Sequence, residues 1–251
     1  MSHSRRKRRT LTCLLIAAFA ARPSAAVAGP PYITDDPEPT DYQHYEIYLF
    51  AEGERAIDGA SGEGGIDFNY GALPDLQLTA VFPIGYSFSN DAATQIGPGN
   101  IELAAKYRFL HQAQIGWDVA VFPRVFLPSL SSRVGDNHPQ FLLPLWLEKD
   151  WDGWSTFGGG GCEINRGGDA KNFCLAGWAL TRQVLPELQI GAELVHQTPS
   201  TKGGRSSTGV GAGFKYDLAD NYHLLGSFGP SLQNTNQTSQ FSWYAAMLFT
   251  F

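Results

Sequence analysis

Between Ile101 and Phe109 the chain alternates without a break. Ile101, Leu103, Ala105, Tyr107 and Phe109 share one face of an extended strand, with Glu102, Ala104, Lys106 and Arg108 on the other. Nine residues of this pattern are about what a tilted strand needs to cross a bilayer. The pattern recurs along the chain. Leu76, Leu78, Ala80, Phe82 and Ile84 stand against Gln77 and Thr79, and Trp117, Val119 and Val121 against Asp118 and Ala120. Leu188, Ile190, Ala192 and Leu194 oppose Gln189, Gly191 and Glu193; Val210, Ala212, Phe214 and Tyr216 oppose Gly211, Gly213, Lys215 and Asp217. A single alternating strand suits any half-buried antiparallel sheet, but many long ones leave few architectures. Strands are predicted near 43–54, 64–72, 75–87, 98–111, 114–128 and 139–150, and near 153–165, 172–184, 187–198, 206–218, 221–232 and 241–251. The even count fits a chain whose two ends lie on the same side of a membrane.

The connections supply a second constraint. After odd-numbered strands they are long and polar: Glu54–Glu63, Ser87–Gly97, Ser129–Pro139, Arg166–Lys171, Pro199–Arg205 and Gln233–Gln240. After even-numbered strands they are tight: Leu73-Pro74, His111–Ala113, Asp150–Gly153, Leu185-Pro186 and Ala219–Asn221. A two-sheet sandwich has no reason to hold this rhythm, whereas membrane barrels of the outer-membrane type put long loops outside and short turns inside. Closure also pairs every backbone N–H and C=O, which hydrocarbon demands. The sequence therefore predicts an all-β fold, a transmembrane antiparallel up-and-down β-barrel of about 12 strands spanning 43–251.

The first residues set the compartment. Arg5, Arg6, Lys7, Arg8 and Arg9 form a basic start, Leu11 to Ala21 an apolar run too short to span a bilayer, and Ala26-Val27-Ala28 a small-residue end. Residues 1–28 read as a secretory signal peptide cut before Gly29, and Cys13 leaves with it. Of 18 basic residues, six lie in this segment and none of the 24 acidic ones do, so the remainder carries a net charge of −12. Such a chain, with no basic cluster, is no nucleic-acid binder. Beyond the signal no apolar run could form a transmembrane helix. An aromatic content of 13% with 28 glycines and two methionines favours strands and turns. Aromatics near predicted strand ends (Tyr45, Tyr86, Tyr107, Trp117, Trp151, Trp154, Tyr222) suit interfacial girdles facing outer-membrane lipid. The final strand ends on Phe251, with Trp243, Ala245, Met247 and Phe249 alternating behind it, the pattern expected of a signal to the barrel-assembly machinery.

Strand parity assigns Glu46, Asp67, Glu102, Lys106, Arg108, Asp118, Arg124, Glu148, Arg182, Glu193 and Lys215 to the lumen. Mixed charge there either braces the barrel through ion pairs or sets the selectivity of a conducting lumen. Cys162 and Cys174 flank a turn centred on Gly167-Gly168 and fall opposite each other in a symmetric hairpin, which predicts a disulfide in an oxidising compartment. Two cysteines without paired histidines do not close a zinc site. The same register sets Gly158 against Trp178, so the Gly158–Gly161 run reads as room for a ring or a bend, and it lacks the lysine and helix of a phosphate loop. His44, His111, His138, His196 and His223 are scattered, with no compact serine–histidine motif, so neither an enzyme nor a cofactor nor a metal is expected. Residues 29–42 carry Pro30, Pro31, Pro37 and Pro39 with Asp35, Asp36 and Glu38, a composition barred from a central strand. They read as a periplasmic leader or a short plug entering the lumen.

Three stretches resemble a known family. Thr34-Asp35-Asp36-Pro37-Glu38-Pro39 followed by Tyr45-Glu46-Ile47-Tyr48, the run from Gly97 to Arg108, and Phe122-Pro123-Arg124-Val125-Phe126-Leu127-Pro128 are similar to segments of the outer-membrane proteins named for the meta-pathway of phenol degradation. Members often carry Pro-Thr-Gly after the third stretch, whereas here Pro128 precedes Ser129-Leu130. The resemblance implies an outer-membrane barrel of the kind labelled a transporter and leaves its substrate unassigned. The expected function is a passive channel or transporter for small molecules, apolar or aromatic solutes among them. The alternatives are a non-conducting envelope-structural or surface-binding barrel and an outer-membrane lipid-modifying enzyme.

Overall fold

The computed structural model of the protein describes residues 31–90, 92–128, 134 and 138–251. The expected signal peptide, the first two residues of the leader and most of the Ser129–Pro139 connection lie outside the described residues. The strands are β1 (Tyr45–Arg55), β2 (Gly59–Leu73), β3 (Leu76–Ser89), β4 (Ala92–Pro98), β5 (Ile101–Leu110), β6 (Asp118–Val121), β7 (Arg124–Leu127) and β8 (Gln140–Trp151). They continue with β9 (Trp154–Ile164), β10 (Phe173–Leu185), β11 (Leu188–Gln197), β12 (Ser207–Ala219), β13 (Tyr222–Pro230) and β14 (Phe241–Thr250). All pairings between them are antiparallel.

These segments make twelve staves. β4 and β5 lie end to end along β3, where Ile84 pairs with Pro98 and Val81 with Glu102. β6 and β7 lie end to end between β5 and β8, parted at Phe122-Pro123 because Pro123 has no N–H to give the ladder. The break stays bridged, since the Phe122 N–H donates to the Pro144 carbonyl and the Ala105 N–H to that of Pro123. The β1–β14 ladder closes the circle from Glu46↔Thr250 to Arg55↔Phe241, and Tyr45 and Phe251 exchange backbone hydrogen bonds at its end.

Burial is inverted relative to a water-soluble sheet. Leu78, Phe82, Ile84, Leu194 and Phe228 are exposed on the outer wall, while Gln77, Thr79, Glu102, Lys106 and Glu148 are buried within. This is the distribution expected when the outer solvent is hydrocarbon.

Three local predictions need correction. The fifth stave starts at Asp118 and not near 114, because a helical turn, α1 (Gln112–Ile115), ends on Gly116 at φ 83°. The expected loops Glu54–Glu63 and Ser87–Gly97 are mostly strand: β1 pairs with β2 out to Arg55↔Ala60, and β3 with β4 out to Ser89↔Ala92. Glycine and polar residues hide a strand from a hydrophobic pattern without removing its backbone pairing. The Leu73-Pro74, Asp152-Gly153 and Leu185-Pro186 connections are tight as expected, and they define a short-turn end of the barrel opposite a long-loop end.

The β9–β10 hairpin carries a Cys162–Cys174 disulfide between register partners. Two steps further, Gly160 pairs with Ala176, and after two more Gly158 pairs with Trp178, whose ring occupies the space a Gly158 Cβ would need. The Trp178 Nε1–H donates to Thr156 Oγ1 at 2.8 Å, which holds the ring there.

Candidate lumenal site

Residues 31–41 leave the sheet and run inside the barrel as a strap. The turn into β1 is fixed against β2, where the Gln43 N–H donates to the Gly71 carbonyl and the Gly71 N–H to that of His44. A Cβ on Gly71 would strike the Asp41 backbone, so only glycine permits this approach. Further in, Gln77 of β3 accepts from the Thr40 N–H at 2.8 Å and from its hydroxyl at 3.1 Å. Lys106 of β5 places Nζ 3.0 Å from Asp35 Oδ1 and 3.5 Å from Asp36 Oδ1, and donates to the Glu38 carbonyl at 3.4 Å. Glu193 of β11 accepts from the Thr34 N–H, the Thr34 hydroxyl and the Ile33 N–H at 3.0, 2.9 and 3.2 Å. Ser227 of β13 donates to the Pro31 carbonyl at 2.5 Å. Tyr32 is the main apolar anchor, its ring 5.9 Å from that of Phe157 and fitted where Gly191 and Gly213 leave the wall bare. Thr34, Asp36 and Pro37 are fully enclosed.

Enclosure changes the strap's electrostatics. Burial pushes the Asp36 carboxyl up to about 7 and outweighs the opposing pull of Lys106, with Asp35 adding to the rise. Burial also lifts Glu38 to about 7, with Asp36 raising it further and Arg108 opposing. The Tyr32 hydroxyl is held neutral well above its ordinary range by burial and by Glu193. The acid pair Asp35/Asp36 thus answers to Lys106.

On the long-loop side of the strap lies a cavity of about 340 Å³. Of the eleven residues assigned to the lumen from sequence, Glu46, Asp67, Glu102, Lys106, Arg124 and Glu193 line it. Arg124 grips Glu102 with two 2.7 Å bonds, the one ion pair between two of those eleven. Lys106 turns to the strap and Arg108 to the strap and a turn, so the expected wall-to-wall charge ladder gives way to a wall-to-strap one. Arg108 sits near the short-turn end between Asp75 (3.0 Å) and Glu38 (4.0 Å). Asp118 faces inward but accepts from the Gln112 N–H at 2.9 Å, fastening α1. Glu148, 2% exposed, accepts from Ser155 at 2.5 Å away from the cavity. Lys215 shares the inner face of β12 with Gly211 and Gly213, while its neighbour Tyr216 is exposed on the outer wall.

Arg182 is misassigned. It shares the outer face of β10 with Trp178, Leu180 and Val184, and its guanidinium lies 4.8 Å from the Trp154 ring centroid. The alternation of β10 dictates this outcome, and charge alone was a poor guide near a strand end, where arginine reaches the interface while its stem stays in hydrocarbon. Conversely, Glu52 and Glu63 line the cavity without having been singled out. Glu52 shares the parity of Glu46, a signal present in the sequence, whereas Glu63 was hidden in the glycine-rich stretch read as a loop. The histidines stay apart: His223 Nδ1 is 2.6 Å from Asp217 and its Nε2 3.5 Å from Thr250 Oγ1, while His196 binds Thr208 at 2.8 Å.

Comparison with known proteins bears on the fold. The crystal structure of an outer-membrane channel from Pseudomonas putida F1 superposes with a TM-score of 0.72 at 14% identity, covering 86% of this chain and 98% of that one. The NanC porin gives a TM-score of 0.59 at 8% identity, covering 81% of this chain and 98% of that one. The KdgM porin, solved in complex with disordered oligogalacturonate, gives 0.56 at 11% identity, covering 82% and 99%. The chain therefore has the fold of outer-membrane channel barrels. No family model matches the sequence, and no curated protein matches it either.

Proposed function

We propose that the protein is a passive outer-membrane channel for small polar or charged solutes, with the strap of residues 31–41 forming its constriction. The observation that carries this reading is the lumen itself. It holds a charged cavity and a strap fastened mainly by hydrogen bonds and ion pairs to Gln77, Lys106, Glu193 and Ser227. A barrel serving only as a brace would gain more from an apolar filling, since buried charges are costly to hold. Likeness in fold to barrels described as channels and porins supports the same reading. Export by a signal peptide and recognition of Phe251 by the assembly machinery belong to this proposal.

Conductance in planar bilayers tests it. The purified protein is expected to give steady channels, and a variant lacking residues 31–41 larger ones. Silence from both forms, each shown by heat-modifiable migration to be a closed barrel, refutes the channel reading.

A further inference from the structure

The lumen's own cations show how this wall accommodates positive charge. Arg124 lies between the Glu102 carboxylate and the rings of Phe122 and Phe126, 5.4 and 5.6 Å from their centroids. Lys106 repeats the arrangement, with Asp35 and Asp36 on one side and the Phe122 ring at 5.0 Å. Each cation thus has a carboxylate and an aromatic face, a combination that gains strength as water is withdrawn.

A third set of the same groups lies beside Arg124 but forms no ion pair of its own among the described residues. Glu52 pairs across the sheet with Tyr244 on one side and with Glu63 on the other. Next along β1 toward the short-turn end on this inner face, Phe50 lies opposite Gly65, and its ring stacks on that of Tyr244 with centroids 6.4 Å apart and planes 10° from parallel. Next again, Tyr48 lies opposite Asp67. Like charges directly opposite each other weaken a sheet, yet Glu52 and Glu63 join none of the ion pairs formed by described residues. Eight acidic and two basic side chains line the cavity, so the acids that are ionised outnumber the bases and its field favours cations over anions.

The cavity is also kept open by sequence. Gly209 of β12 lines it, and a Cβ there would meet nothing nearer than 3.6 Å, on Val195 and the Pro230 carbonyl. Neither backbone geometry nor close packing requires that glycine. What it supplies is room.

We propose that this part of the lumen binds small organic cations, ammonium or guanidinium compounds, with the charge between Glu52 and Glu63 and the body along Phe50 and Tyr244. This deepens the channel reading by naming a solute class; it rests on that reading for passage, while binding needs only the cavity.

Calorimetric titration of the purified barrel in detergent with tetraethylammonium, at about 0.15 M salt so that exposed charges are screened, measures binding without any current. Saturable binding of one cation per barrel is expected. The E52Q/E63Q variant should weaken it by about tenfold or more, and G209L should abolish it by filling the space while leaving both acids in place. R182A, on the outer wall, should bind as the unaltered protein does. Absence of saturable binding to the unaltered protein, equal affinity for benzoate, or unchanged affinity in both cavity variants overturns the proposal. Binding without conductance would sink the channel and keep the site, and conductance without binding would do the reverse.

Discussion

Lys106 is the residue through which the strap is most exposed to perturbation. Its ammonium is 3.0 Å from Asp35 and 3.5 Å from Asp36, and the residue is 4% exposed. Lys106→Met keeps the volume and removes the charge, leaving the enclosed Asp36 and the partly exposed Asp35 without their counterion. Breaking a buried pair from one side costs about 3–5 kcal/mol, so at the lower end the docked-to-undocked ratio of the strap falls roughly a hundredfold. The contacts of Glu193 and Gln77 lie on other staves and are not rebuilt to compensate. Amide hydrogen exchange followed by mass spectrometry reads this at Ile33, Thr34 and Thr40, whose N–H groups are bonded to the wall. Their exchange should quicken by about the same factor, and conductance should rise toward that of the strap-deleted form. The triple variant K106M/D35N/D36N should return both readings toward the starting values, because neutral amides need no counterion. Unchanged exchange in K106M would show that Lys106 does not hold the strap, and the electrostatic account would fall with it.

Asp36 and Glu38 give docking a pH dependence of defined sign. Their carboxyls are raised by burial to about 7 in the docked strap, so docking is fully favoured below the undocked values near 4 and weakens as pH rises through about 7. Exchange at Thr34, corrected for its intrinsic rate, should be faster at pH 8 than at pH 5; a flat or reversed profile contradicts this. R124Q should alter the ratio of cation to anion permeability measured from reversal potentials, whereas R182A should leave it unchanged, and an equal effect of both would put the lumenal assignment of Arg124 in error. Replacing Cys162 and Cys174 by serine removes a link closing a 12-residue separation, a loss of up to about 3 kcal/mol. The variant should unfold at a lower temperature in a heat-modifiability series, with conductance intact below it, and an unaltered transition counts against any stabilising role.

The barrel and most of its inward faces were legible because one period governs them. A strand has only two faces, so once Ile101, Leu103 and Phe109 point to lipid, Glu102, Lys106 and Arg108 must point in. The same rule, applied strictly, would have moved Arg182 outward and drawn in Glu52. What escaped had no period to betray it. Residues 59–65 are mostly glycine and polar, and pair through backbone alone. The strap is fixed by contacts such as Thr34 with Glu193, 159 positions away, and no pattern along the chain encodes a meeting at that distance. The break at Phe122-Pro123 was visible as a proline within a strand, though its consequence, a stave in two pieces still bridged to both neighbours, required the neighbours to be seen.

The strap's anchors also carry a lesson about assembly order. Gln77 and Lys106 stand on β3 and β5, to one side of the β1–β14 seam, while Glu193 and Ser227 stand on β11 and β13, to the other. In a flat, unclosed sheet Lys106 and Glu193 stand five staves apart, about 24 Å, whereas the neighbouring strap residues Asp35 and Thr34 hold them, so the strap cannot reach both. The binding site for the strap therefore comes into being when the seam zips shut, and a docked strap marks a barrel that has finished closing. Once in place it ties the two margins together from within, like a crossbar fitted behind a door.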